Sequence, residues 1–515
     1  MLNSGDKVLI NGKEYVLGAR LGGGLEGNIF DVEGLPTHVI KIINDDKLTQ
    51  LQKKDIYEHL KWLKDLGSRN KNIRQCMTVP KALLDDYLGY IMIKASEHES
   101  LKKYITVPEE LEQFDDWYVK HYTFKKRYQI ICNLFSSLRE IHLAGLIFTD
   151  LSPNNIMVHN KQNQIVFIDT DNTRRRSDLY HGVLGTPGYM APEVYRKPDE
   201  ELAQKNKIGI DVLSKNGRLS SETDIFSAAI IAFQILTLQH PFIGDEIENG
   251  TPEEEEAALE IKTDYIFKQG TSNTSSYGLT SKFEEITTKE IRDLFDRTFV
   301  AGKDNPSLRP TAEEFLEAFQ SALDSIVVCP HCGFARLYNF NKNNECINCG
   351  ASFENKAFVV IYNVFQHMTR AEGINSIGNY PLFDISMDAL RDIDGELPPN
   401  HFEISRIVLE PGEDKAKFLY LRHFENTTDR SAKYARVTLS DSLNSIKFEV
   451  LNNSFDSPFL VEKNTRTMLP LNNGKEFPLD RYGIIFETKK VGKGNIQIFC
   501  KFVKDWWLWF LKLRK

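Results

Sequence analysis

The strongest constraint on the fold is a group of polar residues at the ends of short apolar segments. Asp150 and Asn155 are five residues apart in a polar loop between two apolar runs. Fourteen residues after Asn155, the apolar run 165–168 ends in Asp169. Mg²⁺ ions that bridge nucleotide phosphates require a few oxygen ligands at fixed positions. The spacing predicts that Asn155 and Asp169 hold Mg²⁺ and that Asp150 orients an attacking hydroxyl group.

A glycine-rich segment near the amino terminus is compatible with the same chemistry. Gly22, Gly24 and Gly27 occupy the first, third and sixth positions of a motif whose eighth position is Ile29. Glycines let a strand-turn-strand backbone lie close to phosphates and present its N–H groups to them. The spacing alone is a weak signal, because a chain with 31 glycines can produce it in any hairpin turn.

Lys41 interrupts an apolar β-strand pattern, and a lysine in such a strand requires an anionic partner, either a carboxylate or a ligand phosphate. A predicted helix that follows places Leu51, Asp55, Glu58 and Trp62 on one face, by their spacing of four, three and four. We expect Glu58 to be the partner of Lys41, with Asp55 as the second candidate. The alternative is a solvated lysine–glutamate pair.

Three further motifs complete a recognisable order. They are GTPGYMAPE at 185–193, SETDIFS at 221–227 and LRPT at 308–311. With these motifs, the sequence resembles the eukaryotic-type (Hanks-type) serine/threonine protein kinase family over about residues 1–322. The resemblance implies the bilobal protein kinase fold, an α+β architecture, and a platform at 185–193 for an extended peptide substrate.

The resemblance also implies roles for individual residues. Asp150 and Lys41 would be catalytic in an ATP-dependent and Mg²⁺-dependent phosphoryl transfer to a serine or threonine hydroxyl of a protein. In this family the counterpart of Glu193 pairs with that of Arg309, and Asp224 holds the catalytic-loop backbone. The residues implied to bind the nucleotide and its metal are Gly22, Gly24, Gly27, Ile29, Lys41, Glu58, Met92, Asn155 and Asp169.

The chain also departs from the family pattern. Thr149 replaces the arginine that would receive a phosphate on the activation loop, so activation by that route is not expected. Ser152 stands where a lysine usually steadies the transferred phosphoryl group. Thr170 and Asp171 replace an aromatic residue and a glycine, which removes the usual aromatic switch. The spacing of 31 residues between Glu193 and Asp224 exceeds the family norm and predicts an insertion around 196–218.

Two other functions remain open. One is a pseudokinase scaffold or phosphopeptide-binding adaptor with little or no catalytic activity. The other is a small-molecule kinase, which the peptide platform at 185–193 disfavours. The basic run 174–176, followed by Ser177, is either a clamp for a phosphorylated residue or a solvated loop.

Four of the seven cysteines lie in the arrangement C-x₂-C-x₁₃-C-x₂-C, formed by Cys329, Cys332, Cys346 and Cys349. A glycine follows each pair and permits the backbone turn that directs N–H groups toward the sulfur atoms. Four thiolates satisfy tetrahedral Zn²⁺ and leave no open position. The spacing predicts a structural zinc ribbon, with iron as the alternative metal.

The length and charge of the chain limit its class. A length of 515 residues exceeds one ordinary domain, and 64 basic against 72 acidic residues leave a net charge of −8. We therefore expect several domains and no nucleic-acid partner. The amino terminus lacks a secretory pattern, so we expect a cytoplasmic protein.

The carboxyl-terminal third changes to short β-strand patterns separated by turn residues, which predicts an all-β sandwich. Parts of it resemble the closing strands of a forkhead-associated domain, which implies a phosphoprotein partner. A β-sandwich that binds another kind of partner is the alternative. The aromatic and basic tail 505–515 would pack on the sandwich or contact a membrane. The predicted domains are the kinase domain 1–325 (N-lobe 1–95, C-lobe 96–325), the zinc ribbon 326–356, the sandwich 357–504 and the tail 505–515.

Overall fold

The computed structural model describes most of the chain, which divides into two compact units, Met1–Gln320 and Ser321–Lys515. The described residues are 2–23, 27–107, 124–175, 185–195, 219–329, 331–338, 345–346, 348–351, 357–367, 401–423, 432–452, 458–462, 468–491 and 494–504. Gly24, the insertion 196–218 and the tail 505–515 lie outside these ranges.

The first unit begins with a six-stranded antiparallel sheet in the order β1-β2-β3-β4-β6-β5. Alternation of side chains gives the sheet two apolar faces. One face buries Val8, Phe30 and Ile40, and the other buries Val39 and Met92. The strands are β1 (Lys7–Ile10), β2 (Lys13–Gly23), β3 (Gly27–Val32), β4 (His38–Ile43), β5 (Ala82–Leu83) and β6 (Gly89–Ile93).

Helix α1 (Gln50–Arg69) packs against the second face of this sheet, and α2 (Lys71–Cys76) follows it directly. Thr49 caps α1 and forms a reciprocal capping box with Gln52, which satisfies N–H groups of the first turn. The helix buries Leu60 and Leu63, while its opposite side is exposed. Leu60 lies in the same apolar cluster as Val39 and Met92.

A mostly helical part follows. Helix α6 (Ser221–Thr237) is buried almost all round, as expected for a helix with apolar residues on every side. The ring of Phe233 contacts Phe283 and Phe295, with centroids 5.4 Å apart in both pairs. The helices are α3 (Lys102–Ile105), α4 (Phe124–Leu143), α5 (Pro192–Tyr195), α6, α7 (Asp245–Glu248), α8 (Pro252–Leu259), α9 (Phe283–Ile286), α10 (Lys289–Asp296), α11 (Gly302–Asp304) and α12 (Ala312–Asp324).

Short strands frame the polar loops that the sequence analysis singled out. Strands β10, β9 and β7 form one small sheet, and β11 pairs with β8 in another. Strands β8 and β9 border the loop with Asp150, and β10 and β11 border the loop with Asp169. The strands are β7 (His98–Ser100), β8 (Leu146–Ile147), β9 (Ile156–His159), β10 (Ile165–Phe167) and β11 (Arg174–Arg175). Single-turn 3₁₀ helices lie at Pro153–Asn155, Thr170–Asn172, Thr280–Lys282 and Pro306–Leu308, and a π-helical turn at Arg297–Ala301.

The described part of the second unit contains the four cysteines, a two-stranded hairpin and two larger antiparallel sheets. A hairpin of β12 (Ile326–Val328) and β13 (Ala335–Leu337) carries the first cysteine pair. The larger sheet has the order β15-β14-β23-β22-β19-β20, and the smaller one β16-β17-β18-β21. Their strands are β14 (Ala357–His367), β15 (His401–Leu409), β16 (Lys417–Tyr420), β17 (Lys433–Leu439), β18 (Ser445–Val450), β19 (Phe459–Glu462), β20 (Met468–Pro470), β21 (Glu476–Pro478), β22 (Tyr482–Val491) and β23 (Gly494–Lys504).

Both sheets contribute to one apolar core. Ile407, Ile484 and Phe502 come from the larger sheet, and Val437 and Phe448 from the smaller one. A shared core between two antiparallel sheets is the arrangement of packed sheets in all-β folds. Single 3₁₀ turns lie at Glu413–Lys415 and Leu421–His423. Over the described part of the whole chain, no helix is both long enough and apolar enough to cross a membrane.

Candidate active site

The backbone of the loop that carries Asp150 is hydrogen-bonded to a buried carboxylate. Asp224, in the first turn of α6, accepts hydrogen bonds from the backbone N–H of Phe148 at 2.8 Å and of Thr149 at 3.0 Å. Thr149 has φ of 77°, which is unfavourable for a β-branched residue. The two hydrogen bonds to Asp224 offset this strain. The sequence-based expectation that Asp224 holds this backbone is confirmed.

Asp150 is fixed by two neighbours, one on each carboxylate oxygen. The Nδ2 of Asn155 donates to Oδ2 at 2.9 Å, and the hydroxyl of Thr186 donates to Oδ1 at 2.8 Å. Asn155 lies in the 3₁₀ turn after the loop, and its backbone oxygen accepts from the N–H of Ile168 at 2.9 Å. The fold thus brings Asp150, Asn155 and the segment that leads to Asp169 together, as the spacing predicts.

Lys41 lies at the centre of a charge cluster. Lys41 is 3% exposed. Its Nζ donates to Asp169 and to both carboxylate oxygens of Asp171, and the two distances to Asp171 are 2.8 and 2.9 Å. Burial alone would lower the pKa of Lys41, but attraction to Asp171 and Asp169 raises it. Burial raises the pKa of Asp169 to about 6 against the attraction of Lys41. For Asp171, burial acts in the same direction, but the attraction of Lys41 outweighs it and lowers the pKa.

The prediction that Lys41 pairs with Glu58 is wrong, because Lys41 pairs with Asp169 and Asp171 instead. Glu58 is exposed, as is the second candidate, Asp55. The reason is the orientation of α1, which buries Leu60 and Leu63 and turns the face with Glu58 to solvent.

The glycine-rich segment spans the turn between β2 and β3. Gly22 pairs with Ile29 across the hairpin, and Gly27 begins the second strand. A side chain at Gly27 would place its Cβ 2.5 Å from the backbone oxygen of Ile42, so only glycine fits there. Met92 is 5% exposed in β6, where it is paired with Val39 of the central strand β4.

The segment 185–195 is anchored to the helical part of the first unit. The guanidinium of Arg309 donates to both carboxylate oxygens of Glu193, at 2.7 and 2.8 Å. The Arg309 guanidinium also lies 4.7 Å from the ring centroid of Phe226. The sequence-based pairing of Glu193 with Arg309 is confirmed. It anchors the backbone that follows Thr186 in the chain.

A protein kinase domain model matches residues 15–319, which is more than half of the chain. The chain belongs to the protein kinase family.

Several curated kinases are similar to parts of this domain. A serine/threonine-protein kinase, pkn3, of Myxococcus xanthus is 29% identical over 128 residues, which cover 23% of this chain and 20% of that protein. PknB of Mycolicibacterium smegmatis is 25% identical over 121 residues, or 24% and 17% of the two chains. The kinase stk11 of Xenopus laevis is 23% identical over 259 residues, or 45% and 49%. The matched part thus spans at most about half the length of these three relatives.

Three residues near the kinase site were not predicted to take part in it. Asp171 was noted only as a replacement of a glycine, although a second carboxylate two residues after Asp169 was a usable signal. Thr186 was seen only as part of the peptide platform. Arg174, in the basic run, donates to the backbone oxygen of Asp171 at 2.9 Å and contacts His59 Nε2 on α1 at 2.9 Å.

The replacements at Thr149 and Ser152 have different surroundings. The Thr149 hydroxyl donates to the backbone oxygen of Asn172 at 2.9 Å and so joins the Asp150 loop to the Asp169 loop. Ser152 is fully buried. Arg176 and Ser177, from the basic run, lie outside the described residues.

The four predicted cysteine ligands meet in the second unit. Their Sγ atoms all lie within 4.8 Å of one another. The Sγ atoms of Cys329 and Cys349 are 3.7 Å apart, and those of Cys332 and Cys346 are 3.5 Å apart. The glycine after each pair, Gly333 or Gly350, has positive φ, at 77° and 73°. The three remaining cysteines, Cys76, Cys132 and Cys500, are buried, as predicted.

Proposed function

We propose that the chain is an ATP-dependent serine/threonine protein kinase. The observation that carries this proposal is the placement of Asp150, which is held by Asn155 and Thr186 beside a loop whose Asp169 contacts the buried Lys41. A carboxylate fixed on both oxygens presents a defined surface to an incoming hydroxyl group. The supporting comparison is the similarity to three curated serine/threonine kinases.

In this proposal Asp150 steers the serine or threonine hydroxyl and accepts its proton as the oxygen bonds to the γ-phosphorus. The bond from that phosphorus to the β,γ-bridging oxygen breaks, and ADP leaves. Lys41 binds the phosphate oxygens of the nucleotide, and the N–H groups around Gly22, Gly24 and Gly27 cover them. Ile29 and Met92 contact the base side of the nucleotide pocket. Positioning of the two reactants then supplies most of the rate acceleration.

Asn155 and Asp169 would hold Mg²⁺. The donor set fits, since amide and carboxylate oxygens are the ligands that Mg²⁺ prefers. The backbone hydrogen bond from the N–H of Ile168 to the oxygen of Asn155 keeps the two ligand-bearing segments adjacent. Bound Mg²⁺ would neutralise charge on the phosphate oxygens, and Asp169 would leave Lys41 to serve as its ligand.

Zn²⁺ fits the four-cysteine cluster by distance. Four sulfur atoms around a tetrahedral Zn²⁺ at about 2.3 Å are separated by about 3.8 Å. Two separations in the cluster are 3.5 and 3.7 Å, and all of them are within 4.8 Å. We propose a structural zinc ribbon at 326–356, because four thiolates leave no position for a reacting ligand.

The β-rich region 357–504 would act as a targeting module for a protein partner. The support is its own apolar core, which allows it to present loops independently of catalysis. A forkhead-associated-like role implies a phosphothreonine peptide as the ligand. Titration with matched phosphorylated and unphosphorylated threonine peptides separates this role from a phosphate-independent one.

The kinase proposal is tested with the full chain, Mg²⁺, labelled ATP and a panel of serine and threonine peptides. Wild-type protein should transfer phosphate, and Asp150→Asn should lose at least about 100-fold in kcat. Asp46→Asn is the matched control, because Asp46 is exposed in the turn after β4 and is not among the residues assigned to catalysis or binding. A wild type that binds nucleotide without transfer to peptide or to itself would favour the pseudokinase scaffold, and transfer to a metabolite alone would favour a small-molecule kinase.

A further inference from the structure

The buried amine of Lys41 has two carboxylate partners on one loop. Its side chain is 4% exposed, that of Asp169 is 33% exposed and that of Asp171 is 12% exposed. Asp171 is thus the more buried partner, and both of its oxygens lie within 2.9 Å of the Lys41 Nζ. A buried ammonium group is stable only while a counter-ion remains beside it.

The two partners differ in what else they are required to do. Under the proposed function, Asp169 would serve as a ligand of Mg²⁺ and would no longer be available to Lys41. Lys41 then needs a second carboxylate that keeps it extended along β4 toward the phosphates. Asp171 meets this need without leaving its observed position.

Helix α1 does not supply that carboxylate in the structure, since Glu58 is exposed. The helix contacts the Asp169 loop through cations instead. Arg174 lies 2.9 Å from His59 Nε2, and the guanidinium of Arg175 lies 4.2 Å from the ring centroid of Trp62. These contacts attach the loop to α1. Both carboxylates that pair with Lys41, Asp169 and Asp171, belong to the loop and not to the helix.

Asp171 is also fixed from several sides. It lies in the 3₁₀ turn Thr170–Asn172, whose first residue donates its hydroxyl to the backbone oxygen of Thr78 at 2.7 Å. Arg174 donates to the backbone oxygen of Asp171 at 2.9 Å. The hydroxyl of Tyr90, on the strand next to β4, lies 3.5 Å from Asp171 Oδ1.

We propose that Asp171 is the positioning residue that holds Lys41 for phosphate binding, in the role for which the sequence predicted Glu58. This inference rests on the proposed kinase function. It has a regulatory consequence, because the alignment of Lys41 then depends on the Asp169–Asp171 loop and not on a carboxylate carried by α1. The competing role for Asp171 is that of a further Mg²⁺ ligand.

The first test is a thermodynamic cycle in the absence of nucleotide and metal. Lys41→Met, Asp171→Asn and the double variant are made in the full chain, and their unfolding temperatures are measured. Asp171→Asn should lower the unfolding temperature in the wild-type background and have little further effect in Lys41→Met, because the charge that it serves is already gone. The same cycle with Glu58→Gln should be additive. Additivity of Asp171→Asn with Lys41→Met would overturn the proposal.

The second test uses the loaded enzyme. Asp171→Asn should lower kcat about 10-fold to 100-fold with an unchanged KM for the peptide, the range seen when a residue that orients a functional ligand is lost. Its Mg²⁺ requirement should stay that of wild type, and Asp46→Asn should match wild type throughout. A raised Mg²⁺ requirement, or a larger kcat loss in Glu58→Gln than in Asp171→Asn, contradicts the assignment.

Two provisions keep the outcomes distinct. If wild type transfers no phosphate, the proposed function fails, while the nucleotide-free cycle still decides whether Asp171 and Lys41 are coupled. If Asp171→Asn does not fold, Asp171→Glu replaces it, since it keeps the charge and displaces it by one methylene group. That variant should fold and should lower kcat, and full activity in it would count against a positioning role.

Discussion

Arg309 and Glu193 form a two-pronged ion pair, with the NH1 and NH2 groups of Arg309 donating to separate carboxylate oxygens at 2.7 and 2.8 Å. The Arg309 side chain is fully buried and that of Glu193 is 14% exposed. The pair joins the segment that carries Thr186 to the helical part of the kinase domain. Loss of this ion pair should therefore lower the stability of the kinase domain and disturb the peptide platform at 185–193.

Arg309→Lys should destabilise the kinase domain by about 3 kcal/mol, because one ammonium group cannot replace the fork of a buried guanidinium and leaves polar groups unpaired. Chemical denaturation of the full chain measures the change. Arg297→Lys is the control, since Arg297 pairs with Glu314 at the surface, with side chains 45% and 41% exposed. An exposed pair contributes about 0–1 kcal/mol, so equal losses in the two variants would contradict the expectation.

Asp224→Asn should impair catalysis and stability together. An asparagine has one acceptor oxygen, so one of the N–H groups of Phe148 and Thr149 would lose its partner. Hydrogen bonds to charged groups are worth about 1.5–3 kcal/mol each, and we expect a loss in that range. We expect kcat to fall more than the KM for ATP rises, because the Asp150 loop is displaced while Lys41 is unaffected. Retention of wild-type kcat would show that Asp224 does not set the loop position.

His240 should make the kinase domain sensitive to acid. It is buried, its Nε2 lies 2.8 Å from the backbone oxygen of Gly188, and its Nδ1 accepts from the N–H of Phe242 at 3.3 Å. Burial lowers its pKa to about 4, well below the value of about 6.5 in an unfolded chain. The unfolded state therefore binds the extra proton first, and stability that is present above pH 6.5 is lost as the pH falls toward 4, at up to about 1.4 kcal/mol per pH unit.

The measurement is the free energy of unfolding at pH 7.5 and pH 5.0 for wild type and for His240→Gln, which cannot titrate in this range. The difference in the free energy of unfolding between wild type and His240→Gln should be smaller at pH 5.0 than at pH 7.5. A difference that is the same at both pH values would rule out His240 as a source of the acid sensitivity.

Removal of metal should act mainly on the second unit. A strong chelator should release one Zn²⁺ per chain and lower the unfolding temperature of the region after 321, because the four thiolates otherwise have no common partner. Elemental analysis and calorimetry measure the two effects. Cys332→Ser should lose the metal, whereas Cys132→Ser, a buried cysteine of the kinase domain, should keep it. Nucleotide affinity should survive chelation, and its loss would show that the ribbon supports the kinase domain.

Much of the fold could be read from local patterns. Strands occur in the region where the sequence predicts a β-sandwich, for example at Lys433–Leu439 and Ser445–Val450, because alternation with a period of two specifies a half-buried strand locally. The Asp150 loop and the cysteine pairs were likewise found from spacing alone. In each case the relevant residues are close in sequence, or lie in motifs of fixed order.

The partner of Lys41 could not be found in this way. Glu58 and Asp171 both had the required charge, and helix periodicity placed Glu58 on one face with Trp62 without saying which face is buried. That choice depends on how α1 rotates against the sheet, and the rotation is decided by the packing of Leu60 and Leu63.

The sequence by itself determined the protein kinase family, the order of its motifs, the four-cysteine cluster and the strand-rich region that follows. These features depend on residue type and local spacing, which folding does not change. Only the tertiary structure decided which carboxylates surround Lys41 and which side chains fix Asp150. Ion pairs between residues more than 100 positions apart, such as Lys41 and Asp171, depend on the packing of whole elements, and no local pattern in the chain encodes that packing.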